Sequence, residues 1–175
     1  MAFMQVIPIE GFKAIVAVSL NGCIGKEGKL PWHLPQDLKW FKETTTGGTL
    51  VMGSKTYRDV GVLPNRGLVV VSRKAVVDGC CAFDVPPDRL VGHVQMLAGD
   101  GHRVWLCGGA QTYKTYLPWC EELYVTLVRQ VVEGDAFFPP ISAREFRVVE
   151  VLRDEPEFQI VRMRNAALFS DGLRD

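Results

Sequence analysis

Along the chain, compact runs of apolar residues alternate with stretches in which apolar residues recur every three or four positions. The first pattern predicts strands and the second helices. FKAIVAVSL (12–20) predicts a buried strand, and NGCIGKEGKLPWHL (21–34) a long Gly-rich loop of the kind that carries function in compact domains. PQDLKWFKETTT (35–46) predicts a helix with Pro35 in its first turn. TLVMG (49–53) predicts a strand, SKTYRDV (54–60) a short helix, and LPNRG (63–67) a turn into the strand LVVVS (68–72). CCAFD (80–84) is a weak strand, and PDRLVGHVQMLAG (87–99) a helix with Leu90, Val94 and Leu97 on one face. RVWLCG (103–108) is a strand that runs into Gly108–Gly109, ahead of the helix AQTYKTYL (110–117). ELYVTLV (122–128), FRVVEVL (146–152) and FQIVRMRNA (158–166) are the last strands, the final two antiparallel because no helix separates them. The earlier strand–helix alternation implies parallel pairing with helices on both faces. The expectation is an α/β fold: one mixed, mainly parallel, eight-stranded sheet flanked by four helices, in a single domain of residues 1–175 with its core at about 12–166.

Composition narrows the class. Apolar residues make up 47% and charged residues 23%, which describes a globular chain able to bury its own core. Twenty basic residues balance twenty acidic ones, so no nucleic-acid or membrane partner is expected from charge. The cysteines are odd in number (Cys23, Cys80, Cys81, Cys107, Cys120) and form no CxxC, which reads as free thiols in a reducing compartment. His33, His93 and His102 show no metal-ligand spacing, and no metal is expected. The N-terminal MAFMQVIPIEG lacks the pattern of a signal peptide, and no apolar run reaches the ~20 residues of a membrane span. The expected location is the cytoplasm and the expected state a monomer. MAFMQVIPIEG and SDGLRD read as short terminal adornments.

Candidate chemistry starts at Asp37. On a helix it shares a patch with Leu38 and Phe41, led in by Trp32 and Leu34. Its plainer reading is an acid facing water near a helix N-terminus, stabilised by about 0.3–1 kcal/mol. The alternative is a buried carboxylate whose two acceptors meet the paired N–H donors of an amidine-like ligand edge. WLCGGAQTYKTYL (105–117) places Gly108 and Gly109 between strand and helix, where backbone can approach an anion. It is not the GxGxxG of a Rossmann site, and a turn role is equally open. MGSKTY (52–57) offers Gly53, Lys55 and Thr56, and VVVSRK (69–74) offers Ser72, Arg73 and Lys74. Together these give three strand ends at one edge of an open sheet, where such sheets bind ligands. Arg66 in its turn and Thr126 in its strand have ordinary structural readings when taken alone, and Trp32 and Trp40 fit either core or pocket wall.

In order, NGCIG (21–25), LPWHLPQDLKWF (30–41), MGSKTY, LPNRG, VSRK, CGGAQTY, LYVT and EGDAFFP (133–139) make the chain resemble the dihydrofolate reductase family from about Ala14 to Arg164. The resemblance implies NADPH-dependent reduction of dihydrofolate to tetrahydrofolate, serving one-carbon metabolism and thymidylate synthesis. It implies that Asp37 holds the pterin, with Trp32 anchoring a water and Thr126 bonding Asp37 and the pterin amino group. Ile15, Val16, Ala17, Leu38, Phe41, Val60, Leu63 and Cys107 would line the substrate slot, and Arg66 would clamp the glutamate α-carboxylate. Ala17, Ile24, Gly25, Gly53, Ser54, Lys55, Thr56, Ser72 and Arg73 would face the cofactor. So would the turn Cys107, Gly108, Gly109, Ala110, Gln111, Thr112 and Tyr113. Lys55 and Arg73 would meet a 2′-phosphate. The loop from Gly22 to Leu30 would be a mobile lid supported by Gly134–Asp135. Antifolate inhibitors would share the slot. Ala110, Gln111 and Ser54 depart from the commonest family pattern, in which a glycine and cations are frequent. Two alternatives stand beside this: a pyrimidine reductase of riboflavin synthesis on the same fold, and a protein that binds folate or nucleotide without turnover.

Overall fold

The computed structural model describes residues 6–99 and 103–172; His102 and the outermost residues of both terminal adornments lie outside them. Strands β1 (Ile9–Ser19), β3 (Thr49–Gly53), β4 (Gly67–Val71), β6 (Cys80–Phe83), β7 (Val104–Leu106) and β8 (Cys120–Val128) pair in parallel, in the order β8-β1-β7-β3-β4-β6. Antiparallel strands extend both edges: β11 (Phe158–Asn165) and β10 (Phe146–Asp154) beyond β8, and β5 (Val76–Val77) beyond β6. The fold is α/β with a mainly parallel sheet and, among the described residues, four α-helices, α1 (Pro35–Thr45), α2 (Ser54–Val60), α3 (Leu90–Ala98) and α4 (Ala110–Tyr116).

Among the described residues the sheet has nine strands where eight were expected, and the ninth is β5. Its two residues are too few to show a period, but the Asp-Gly pair that follows is a hairpin signal. Asp78 and Gly79 have φ of 45° and 78°, positive at both positions as a type I′ turn requires. A separate pair, β2 (Cys23–Gly25) with β9 (Ala136–Phe137), lies inside what the sequence marks as loops.

Alternation along the central strands divides the core in two. Ala14, Val16 and Val18 of β1, Val51 of β3, and Val104 and Leu106 of β7 pack with Leu90, Val91 and Val94 of α3 and Tyr113 and Tyr116 of α4. The intervening Ile15, Leu50, Met52 and Trp105 face the other way, against Trp40 and Phe41 of α1 and Tyr57 of α2. Covering both faces explains why β3 is apolar and buried throughout rather than alternating. In α3 the buried face is Leu90, Val91 and Val94, whereas Leu97, expected on that face, is 59% exposed. The consequence for function is at the other end of the strands. The C-terminal ends of β1, β3, β4 and β7 open onto one edge, which residues of α1, α2 and α4 also line.

Candidate active site

A cleft of about 1710 Å³ occupies that edge. Single small-molecule pockets run to roughly 300–1,000 Å³, so this one has room for two ligands side by side. Of the residues assigned from the sequence to catalysis, substrate or cofactor, all line it except Trp32, which stands behind the wall in a cluster with Leu34, Val128, Phe158 and Ile160.

Asp37 sits at the third position of α1 and is 5% exposed, so the water-facing reading of this acid does not hold. The helix starts there because Pro35 presets its first turn and Leu34 O accepts from the N–H groups of Asp37 (3.0 Å) and Leu38 (3.1 Å). Thr126, buried mid-strand in β8, donates its hydroxyl to Asp37 Oδ1 at 2.6 Å. Burial raises the Asp37 carboxyl above the usual carboxylate range, while the Thr126 hydrogen bond and the positive charge of Arg153 pull it back down. A second acceptor, Oδ2, remains for a ligand. The Trp32 indole N–H is buried and has no partner among the described residues. Leu38 and Val60 line the cleft and are nearly half exposed, whereas Phe41 and Leu63, which also line it, are partly buried. Arg66 lies over the Phe41 ring at 5.9 Å and bonds Pro64 O (2.9 Å) and the Thr45 hydroxyl (3.3 Å), which sets its guanidinium at the outer end of this half.

The other half is built from backbone. Gly53 N–H donates to Gly108 O at 2.9 Å, which closes β3 and β7 together where the two helices α2 and α4 begin. A Cβ on Gly53 would collide with the Thr112 hydroxyl, and one on Gly109 would come 2.9 Å from the Thr56 hydroxyl. The Gly108–Gly109 peptide is cis. A Cβ at either position would crowd those hydroxyls, and the bare backbone leaves the first turns of both helices at the cleft. Lys55, Ser72, Arg73 and Lys74 line the same half, and Lys74 N–H caps the Ser72 hydroxyl at 3.1 Å. The cradle of glycines, free N–H groups and three cations fits a phosphorylated dinucleotide. Cys107 joins the two halves; burial pushes its thiol up to about 12, so it is neutral and acts as a small apolar wall.

The Gly22–Leu30 segment covers the middle. It is stitched to the 130s by β2–β9 pairing, by Asp135 N–H to Gly25 O (3.0 Å), by Glu27 N–H to Asp135 Oδ2 (2.9 Å), and by Asn21 to Val132 in both directions. Cys23 Sγ and Gly25 O fill the space a Cβ on Gly134 would need.

Sequence reasoning missed several lining residues: Met52, Arg58, Asp59, Phe83 and Asp84. Phe83 and Asp84 were findable, since Phe83 ends a strand parallel to β4 and Asp84 follows it. Met52 was not, because burial on both faces of β3 hides which residue looks into the cleft.

The family model described as dihydrofolate reductase matches residues 11–163. A dihydrofolate reductase of Haemophilus influenzae is 37% identical over 138 residues, covering 78% of this chain and 84% of that protein. One from Neisseria gonorrhoeae is 39% identical over 138 residues, covering 78% and 83%. A solved dihydrofolate reductase from Enterococcus faecalis, complexed with NADP(H) and RAB-propyl, superposes with a TM-score of 0.73 at 33% identity, covering 91% of this chain and 99% of that one. With the match spanning both halves of the cleft and the strands that build them, the chain belongs to the dihydrofolate reductase family.

Proposed function

We propose that the chain catalyses the NADPH-dependent reduction of 7,8-dihydrofolate to 5,6,7,8-tetrahydrofolate. The observation that carries this is Asp37: a carboxylate 5% exposed, held on one oxygen by Thr126, in the apolar half of a two-ligand cleft. Such a group is tolerated where a ligand brings a complementary donor edge, and the 2-amino group and ring N–H of a pterin are that edge.

Each part then has a task. Asp37 accepts from the pterin edge and Thr126 holds the carboxylate in register. Ile15, Val16, Ala17, Leu38, Phe41, Val60, Leu63 and Cys107 give the flat ring an apolar slot, and Arg66 pairs with the tail carboxylate. Ile24, Gly25, Gly53, Ser54, Thr56, Ser72 and the turn from Cys107 to Tyr113 cradle the dinucleotide, with Lys55 and Arg73 on its 2′-phosphate. NADPH held by these residues would supply the hydride for C6 of the pterin. The protein's contribution is to stack two planar groups and keep bulk water out beneath the Gly22–Leu30 lid. Asp37 lies at the edge of the ring away from N5, so it steers the proton to N5 through ordered water beside Trp32 rather than by contact. Compounds with the same donor edge as the pterin, antifolates among them, compete for Asp37. The continuity of one sheet through the described residues supports a single domain over 1–175. We take it to act as a monomer in the cytoplasm; no helix among the described residues is long and apolar enough to cross a membrane.

The test is to follow NADPH consumption by the purified protein with dihydrofolate. Rapid, dihydrofolate-dependent loss is expected. Binding of both ligands without oxidation would replace this function with a binding role, and oxidation only with a phosphoribosyl pyrimidine would replace it with the related reductase.

A further inference from the structure

We propose that Arg153 is a positioning residue for Asp37: from the edge strand β10 it grips the first turn of α1 and places a fixed positive charge behind the carboxylate. This rests on Asp37 being the substrate-binding acid. Arg153 Nη2 donates to Gln36 Oε1 at 3.0 Å, and Gln36 is the residue immediately before Asp37. The same nitrogen donates to Glu155 Oε1 at 2.9 Å, and the guanidinium stands 5.5 Å from the centre of the Phe158 ring. Phe158 is 2% exposed and packs with Trp32 and Leu34, the residues that lead the chain into α1. One side chain therefore ties together the start of α1, the turn between β10 and β11, and the aromatic floor under the helix.

Few other groups reach Asp37. From β8 it meets the Thr126 hydroxyl, and from β10 only Arg153 acts on it by charge. Glu155 is the counter-charge on Arg153, Asp154 is engaged by Arg129, and Lys39 on the exposed side of α1 pairs with Glu43. Burial favours the protonated acid; a guanidinium held in place favours the carboxylate that a pterin edge requires. Arg153 is 34% exposed at its side chain, so solvent and salt weaken its field, and its influence is modest and salt-dependent.

The experiment is a carbon-13 NMR titration of the Asp37 carboxyl in the unliganded protein, for the wild type, Arg153→Met and Arg153→Lys. Met keeps an unbranched stem over Phe158 without the charge. Its titration midpoint is expected to rise by about half a pH unit, about a threefold change in the ionisation constant, and the rise should shrink in 0.5 M salt. Lys should recover most of it. Glu155→Gln, which frees the guanidinium of its counter-charge, should move the midpoint the other way, and it keeps the idea testable if Arg153→Met folds poorly. In turnover, Arg153→Met should raise KM for dihydrofolate about two- to threefold near the midpoint and little at higher pH, with kcat nearly unchanged. An unmoved midpoint in Arg153→Met or in Glu155→Gln, or Lys behaving as Met does, overturns the role. The titration needs no substrate. Its failure therefore leaves the proposed reaction standing, and absence of dihydrofolate reduction by the wild type would overturn the reaction alone.

Discussion

In the half of the cleft around Asp37, recognition is written in side chains; in the half around Gly53 and Gly109, it is written in the absence of them. The first half holds one buried carboxylate, one threonine that bonds it and one arginine at the rim, set in apolar walls. The second holds glycines that let β3 and β7 touch, the opened first turns of α2 and α4, and cations around the edge. A side-chain site concentrates its energy in a few atoms, so one substitution can abolish it. A backbone site spreads its energy over many N–H groups, so it fails by steric intrusion or erodes one charge at a time.

The sharpest way to break the contrast is Asp37→Asn. Turnover should fall on the order of 10²–10⁴-fold, the range for loss of acid–base and orienting help, as measured by steady-state NADPH consumption at neutral pH. Steric intrusion in the other half comes next. Gly53 has φ of −74° and ψ of 168°, which any residue can adopt, so Gly53→Ala meets no backbone penalty and only the Thr112 hydroxyl. It should cost about 1–3 kcal/mol of stability, and adding Thr112→Ala should restore part of that, read as a coupling in a thermal double-mutant cycle. Single-charge erosion is smaller at neutral pH. Arg73→Gln should weaken NADPH binding by about 1.5 kcal/mol or somewhat more, roughly tenfold, and leave NADH binding nearly unchanged, as read by fluorescence titration.

The smallest effect has the opposite sign. The Asp37 carboxyl titrates higher in the folded chain than in the unfolded one. Between those two values the folded state holds the extra proton, so stability falls as pH rises through that window, and the penalty is complete above it. Asp37→Asn should therefore raise the Tm of the unliganded protein at neutral pH, with the gain vanishing below the ordinary carboxylate range. A lower Tm at neutral pH would mean that the carboxylate is better satisfied than its burial implies.

The same contrast governs what could be read from the sequence. Asp37, Arg66, Lys55 and Arg73 are chemically distinctive residues in recognisable strings, and the fold places all of them on the cleft. The borders of β3 and the bounds of α2 match the readings of TLVMG as a strand and SKTYRDV as a short helix. What escaped was tertiary. Asp37 alone read as a solvent-facing acid, and only its burial against Thr126 distinguishes the two cases. The short pair β2–β9 carries no period and exists because Asp135 and Asn21 clamp two loops together. Arg153 lies far along the chain from Gln36, and nothing local signals that they meet.

The most direct test of the division is equilibrium binding of dihydrofolate and of NADPH, each alone, to Asp37→Asn. A side-chain half independent of a backbone half predicts that dihydrofolate binding weakens at least tenfold while NADPH binding stays within about twofold of the wild type. Equal weakening of both ligands would contradict it, and would mean that Asp37 supports the cleft as a whole rather than one edge of one substrate.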